Sequence, residues 1–551
     1  MLILATILDN PGEPIAETRY RDPAELRRLG YNGLVLFETT ALSGVERPDS
    51  VGTGEVRRWV AQHFETVCKR IEEARAASLS VYLAYDVLSL PAEVVDEEGA
   101  VLTCRSRPQT LCPASDELLE RSVAALESLL GQLPQVEGVV LRFGDNDALR
   151  LPHLVGNDIY HPHCPRCSQL GRADRIVRVV EPFYRFVVER LGKRLIVRAW
   201  NVNPGGMHDS VELFGRVQPR LPGRADDDRL VLSFKFTEAD FWRYQKWNPA
   251  SLSAAGRPII YELECQREFE GKGAIPNWQV PLWRNGPSEV TGNGAGLATV
   301  AHRVNLAGLW GWVRGGGWGG PFVTDEAWID ANVCAVPQMA RDPDAQPADL
   351  ARHWVRQRLG LSDPQVTDAL YRILEHSATT VLQAFYIGPF ALARRDPWHP
   401  NADWIQDDLV DAQAAWRMIE PLPDSAVERV IAEKREAVER IAADSVMLQR
   451  LVSNENRRVL EPLVHSMVYC ESLLRALYHL IAGLVAYRQF RADPDSRTAG
   501  RCRRHLVDAQ SHWIHHTQTH SGLSGAGSAF REAHFWELTQ KILGEVGMGS
   551  D

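Results

Sequence analysis

The sequence predicts a (β/α)8 barrel followed by an all-helical C-terminal domain. Three observations lead there. In the first 315 residues, eight short runs rich in Val, Ile, Leu and Tyr alternate mainly with helical patterns. Those runs are apolar nearly throughout, as strands buried on both faces must be. No Gly-rich dinucleotide fingerprint or Walker loop follows an early run, which disfavours a doubly wound sheet.

In chain order the predicted strands are Leu2–Ile7, Gly33–Phe37, Val81–Tyr85, Val136–Phe143, Leu195–Trp200, Leu230–Phe236, Pro258–Leu263 and Leu306–Val313. Helical periodicity fills the segments Glu55–Ala77, Ser115–Gln132 and Arg172–Leu191 between them. From about residue 345 the strand signal vanishes. Helices are expected over Gln346–Leu359, Asp363–Phe385, Asp407–Met418, Ser425–Ala442, Ser445–Phe490 and Arg501–His516, with a break or kink at Pro462. The run Asp342-Pro343-Asp344 with Gln346-Pro347 marks the boundary, dividing the chain into a barrel over 1–340 and a helical domain over 345–551.

Composition narrows the function. The chain has 551 residues, 45% apolar and 24% charged, with a net charge of −10 and no long single-sign run. An acidic chain of this kind is not an electrostatic nucleic-acid binder. The 16 Trp are many for the length, and sugar-binding clefts use flat aromatic faces. Nine cysteines at irregular spacing argue against a secreted disulfide framework. The N-terminus reads as a strand, not a signal peptide, and the richest apolar stretch carries Arg475 and His479. The expectation is a cytoplasmic protein with no membrane or nucleic-acid partner. Its long amphipathic segments offer a face for a homodimer through the helical domain.

Barrel chemistry sits at the C-terminal ends of the strands. That rule selects Asp9-Asn10, Glu38, Asp86, Arg142 with Asp145-Asn146-Asp147, Arg198 with Trp200-Asn201, Lys235 with Glu238 and Asp240, Glu262, Glu264 and Glu268, and Trp310, Trp312 and Trp318. Carboxylates come from several strands, as acid–base hydrolysis of a glycoside requires. Arg142, Arg198 and Lys235 interrupt otherwise apolar strands, and a buried cation needs a partner. Internal salt bridges satisfy that need. So does a basic pocket for an anionic substrate group, where Arg grips both oxygens of a carboxylate.

The segment His161-Pro-His163-Cys164-Pro-Arg-Cys167 contains one CxxC and two histidines. Zinc takes four ligands, which these two histidines and two cysteines could supply, but the second CxxC or HxxxH that usually completes such a site is missing and ligands this close together strain one loop. The expectation is a packed loop of reduced thiols, with no metal ligands assigned and no redox or nucleotide cofactor.

Taken in order, LDNPGEPIAETRY, LRRLGYNGLVLFE, SVYLAYDV, VEGVVLRFGDND, LIVRAW, LSFKFTEADF, IIYELECQREFEG and GLWGWVRGGG resemble the catalytic barrel of the α-glucuronidases of glycoside hydrolase family 67. The helical remainder is similar to that family's C-terminal domain. The resemblance implies that Arg142, Arg198 and Lys235 bind a uronic acid carboxylate, although the first position is Lys in the family. It implies that Asp240 and Glu268 activate water for attack with inversion. The chain departs from the family at the general acid: the position of the family's Glu holds Asn146, flanked by Asp145 and Asp147. Either Asp is a candidate acid, with Glu38 and Asp86 as substitutes from neighbouring strands. The family's separate N-terminal domain has no counterpart here, and the loop after strand 1 differs.

The expected activity is therefore removal of a terminal uronic acid, glucuronic acid or its 4-O-methyl form, from an oligosaccharide such as a xylan fragment. The alternatives are a barrel glycosidase for a different uronide and a non-catalytic carbohydrate-binding relative.

Overall fold

The computed structural model describes residues 1–9, 15–143, 151–290, 295–315, 323–406, 409–520, 531–533 and 535–548. Asn10, Asp145, Asn146, Asp147 and Trp318 lie outside the described residues. Eight parallel strands close a barrel: β1 Leu2–Leu8, β2 Gly33–Leu36, β3 Ser80–Asp86, β4 Gly138–Arg142, β5 Arg194–Arg198, β6 Leu230–Lys235, β7 Pro258–Glu264 and β8 Asn305–Gly315. Each predicted strand is present, with its ends shifted by a few residues. β2 and β4 to β7 are buried along nearly their whole length, as the continuous apolar runs require.

Closure depends on a close approach between β1 and β8. A Cβ at Gly308 would fall 1.9 Å from the carbonyl oxygen of Leu2, so only glycine lets the two strands pair. The helices start where side chains satisfy free backbone N–H groups. The Ser115 hydroxyl accepts from Leu118 N–H at the head of Asp116–Gln132, and Asp363 accepts from Gln365 N–H ahead of Pro364–Phe385. The predicted Arg172–Leu191 helix is α-helical over Arg172–Tyr184 and becomes a π-helical turn over Arg185–Arg190. No α-helix separates β6 from β7, where only the short turn Ser251–Ser253 is helical.

Two small sheets decorate the C-terminal side of β3 and β4. Ser89–Pro91 pairs antiparallel with Leu154–Gly156, and Thr103–Cys104 pairs with Arg107–Leu111 in a hairpin. Periodicity over two to five residues is too short a signal to reveal them.

Beyond Ala327–Arg341 the chain is mainly helical, with Pro347–Gln357, Pro364–Phe385, Ala412–Ile419, Asp424–Arg450, Arg457–Ala492, Ser496–His520 and Phe535–Met548. A small three-stranded sheet of Ile405–Gln406, Leu409–Asp411 and Arg531–Ala533 is set among these helices. The expected break at Pro462 lies instead before Arg457, in the polar turn containing Ser453 and Asn456. Pro462 sits early in the Arg457–Ala492 helix, where its missing N–H removes a single bond from the ladder. By length and composition that helix is long and apolar enough to cross a membrane, yet 67% of its most apolar window is buried in this fold.

The helical region packs on the barrel through polar contacts as well as apolar ones. Ser466 Oγ donates to Ala274 O at 2.6 Å, and Trp328 Nε1 donates to Ser466 Oγ at 2.9 Å. Trp278 N–H donates to Ser377 Oγ at 2.9 Å. All of these contacts lie near the loop that follows β7.

Candidate active site

The strand ends on one side of the barrel converge on a cluster of charge and aromatic rings. Parallel pairing sets Asp86 beside Arg142, Ser233 beside Arg198, and Glu262 beside Lys235. The three cations and Asp86 and Glu262 are each almost completely buried.

Arg198 is tied to Glu262. Its Nε lies 3.0 Å from Oε1, its Nη2 lies 3.1 Å from Oε2, and Ser233 Oγ donates to Oε1 at 2.6 Å. The internal-salt-bridge reading of a strand cation therefore holds for Arg198, whose fork already grips a carboxylate of the protein. Arg142 Nε is 3.4 Å from Asp86 Oδ1. Both guanidinium groups share the face of Phe37, at 5.1 Å for Arg142 and 5.5 Å for Arg198.

Lys235 differs. Its ammonium lies 3.7 Å from the centre of the Trp200 ring, 4.4 Å from Phe241 and 4.9 Å from Trp312, and it donates to Asp240 Oδ1. Asp240 also accepts from Phe241 N–H at 2.8 Å, and its side chain keeps 21% of its surface open. This pair stands at the mouth, not in the floor.

The loop after β7 is buried throughout and conformationally strained. Arg267 and Lys272 adopt φ of 61° and 47°, a region side chains other than glycine's avoid. The strain is held by ion pairing: Arg267 bonds Glu270 at 2.8 Å and reaches Glu264 at 3.4 Å, and Tyr386 from the helical region donates to Glu270 at 2.9 Å. Burial alone would raise the Glu270 carboxyl, but Arg267 and Arg243 hold it below the ordinary range. Glu268 is buried, and its N–H donates to Glu264 Oε1.

Glu264 is the perturbed carboxyl of the site. Burial pushes it up, Arg267 and the Glu268 N–H oppose that, and nearby Asp240 adds to it, leaving it at about 7. The sequence places Glu264 among the strand-end carboxylates but assigns it no role. Its signal was only a Glu ending a buried strand, and the shift depends on neighbours that packing supplies.

The remaining candidates lie elsewhere in the network. Glu38 is bound by Arg70, and Arg70 also reaches Asp9, which Arg21 grips with two bonds of 2.8 Å. Glu238 accepts from Lys246 N–H at the surface. Asp145, Asn146 and Asp147 follow β4 in the chain but fall outside the described residues.

Flat aromatic surfaces line the mouth. Trp200 stacks on Trp398 from the helical region at 5.5 Å, and Trp242 stacks on Phe269 at 3.9 Å. A cavity of about 250 Å³ lies beside them between Glu238, Lys246, Leu392 and Arg395. A larger cavity of about 580 Å³ opens on the opposite face, at the strand starts by Leu2, Ser80 and Asn305, where barrels carry no chemistry.

A second cluster lies outside the barrel mouth. The Sγ atoms of Cys104, Cys112, Cys164 and Cys167 all lie within 4.8 Å of one another. The histidines of the sequence segment do not join it: His161 turns to Asp158, 2.7 Å away. The second pair of thiols that the sequence reading found missing comes from the hairpin some 50 to 60 residues upstream.

No protein-family model matches the chain, and no curated protein matches it. Solved structures do. A GH138 enzyme targeting pectin rhamnogalacturonan II aligns over 100% of this chain and 84% of its own, with a TM-score of 0.59 and 12% identity. An O-GlcNAc hydrolase mutant from Thermobaculum terrenum aligns over 99% of this chain and 94% of its own, with a TM-score of 0.45 and 11% identity. At such identity the first likeness establishes the fold, a barrel with a helical C-terminal region.

Proposed function

We propose that the chain is a glycoside hydrolase that removes a terminal uronic acid, glucuronic acid or its 4-O-methyl form, from an oligosaccharide. One observation carries this. Arg142, Arg198 and Lys235 end three adjacent strands, Asp240 pairs with Lys235, and Glu264, close enough to both to feel their charges, accepts from the Glu268 N–H. The neighbour of like fold targets pectin, which supports a carbohydrate substrate.

In this reading a substrate carboxylate meets Lys235, the cation nearest the mouth, and takes the place of Asp240 on its ammonium. Asp240, released, joins Glu268 in orienting and deprotonating a water that attacks the anomeric carbon. Glu264 holds the Glu268 backbone through its N–H and, titrating near neutrality, accepts charge rearrangement beside Asp240. Protonation of the leaving oxygen falls to Asp145 or Asp147. Hydrolysis by two carboxylates requires no cofactor. The stacked rings Trp200 and Trp398 offer a platform for a sugar face.

The test is release of uronic acid from aldouronic xylo-oligosaccharides and from an aryl α-glucuronide, with Glu268→Gln as control. Release by the wild type alone supports the reading. Cleavage of the aryl substrate only means that the acid is weak or lacking. Release from neither substrate sinks it. A second reading, a barrel glycosidase for another sugar, is favoured by Arg198, whose fork is occupied by Glu262. It predicts turnover of neutral glycosides that Lys235→Ala leaves unchanged.

A further inference from the structure

We infer that Cys104, Cys112, Cys164 and Cys167 form a structural zinc site that ties the loop after β3 to the loop after β4. A zinc–thiolate bond of about 2.3 Å places the four sulfurs of a tetrahedron about 3.8 Å apart. Here Cys112 and Cys164 are 3.6 Å apart, Cys164 and Cys167 3.6 Å, and Cys104 and Cys167 3.9 Å. These separations are far beyond the roughly 2.05 Å of a disulfide, and all four cysteines are unbridged. The sulfurs are buried and form a small cluster of their own, with Ala114 as its apolar neighbour, separate from the main core. Four thiols turned inward on one another contribute little to a hydrophobic core. They are the donor set of a closed, four-coordinate zinc site.

The surroundings fit the charge of that site. Zinc with four thiolates carries two negative charges, and ligands of this kind are held by outer hydrogen bonds. The N–H groups of His163 and Cys164 point at Cys167 Sγ, at 3.1 and 3.3 Å. Buried Arg175 donates to Cys167 O at 3.2 Å, and Arg166 donates to Thr103 O at 2.9 Å. Two cations thus brace the ligand-bearing backbone. With all four positions filled by protein, the metal has no open site for substrate, and its role is to hold structure.

The role follows from where the ligands lie. Cys104 ends the first strand of the hairpin after β3 and Cys112 follows its second strand, while Cys164 and Cys167 follow the strand Leu154–Gly156 after β4. The two excursions flank in sequence the segment carrying Asp145 and Asp147. The zinc therefore fastens together the two excursions that leave the ends of β3 and β4, as the contacts from the helical region fasten the loop after β7.

The experiment is metal analysis of the full chain purified without chelator, together with cobalt substitution. We expect one zinc per chain, released as a mercurial titrates four thiolates. We also expect the charge-transfer and visible bands of tetrahedral tetrathiolate cobalt. Cys164→Ser/Cys167→Ser and Cys104→Ser/Cys112→Ser should each lose the metal. If those variants fail to fold, the wild-type stoichiometry and cobalt spectrum decide. A reduced wild-type chain that neither carries zinc nor retains added zinc overturns the proposal. So does iron in the site, a disulfide among these four cysteines, or zinc retained by a folded double variant.

Discussion

Two ion pairs on neighbouring strands illustrate how one chemistry takes two roles. Arg198 and Glu262 are 1% and 0% exposed, and Ser233 completes the carboxylate's bonds. Lys235 and Asp240 are 3% and 21% exposed, and three aromatic rings surround the ammonium. The first pair is sealed: no solvent reaches it, and either partner alone would be a bare buried charge. The second is open to solvent at its carboxylate end, where the proposed function has a substrate anion displace Asp240.

The comparison can be broken at the mouth first. Asp240→Asn and Glu268→Gln should each lower kcat by roughly 10²- to 10⁴-fold while circular dichroism and Tm stay near wild type. Wild-type turnover in both would remove the base assignment. At the sealed pair the largest effect should be on stability. Glu262→Gln leaves the Arg198 charge buried and should cost about 3–5 kcal/mol in denaturant unfolding. A loss below about 1 kcal/mol would mean that water reaches the pair. Lys235→Ala should raise KM for uronides roughly 10- to 100-fold, the worth of a hydrogen bond to a charged group, and leave neutral glycosides unaffected. Equal changes for both substrates would return Lys235 to a structural role.

Glu264 sharpens the contrast through pH. Its carboxyl is raised from 4.5 to about 7 in the fold, so the folded chain holds that proton more tightly than the unfolded chain. Its contribution to stability is then full below about pH 4.5 and is lost as pH rises toward 7. Glu264→Gln should flatten that part of the stability–pH curve, as read by chemical denaturation at several pH values. An unchanged slope would place the titration elsewhere. The smallest effect is expected at Tyr386→Phe, which removes one bond to Glu270 and should cost about 1 kcal/mol. A concurrent drop in kcat would show that the helical region helps to set the loop after β7.

The barrel was legible because each strand is a continuous apolar run, and burial on both faces writes itself into every position. Arg142, Arg198 and Lys235 were legible for the same reason, as charges where none belong. The hairpin at 103–111, the small sheet at 405–411 and the turn before Arg457 left weaker traces. They are short, and two to five residues carry too little periodicity to read.

The sequence by itself determined which strands form, which cations enter them and which carboxylates follow them, since these depend on local pattern and side-chain type. Only the tertiary structure decided that Arg198 is sealed while Lys235 faces the mouth. It alone raised Glu264 and set Cys104 and Cys112 against Cys164 and Cys167. The physical reason is that pairing, desolvation and coordination are properties of neighbours in space. A barrel brings together residues 30 to 60 positions apart, where no local period records them.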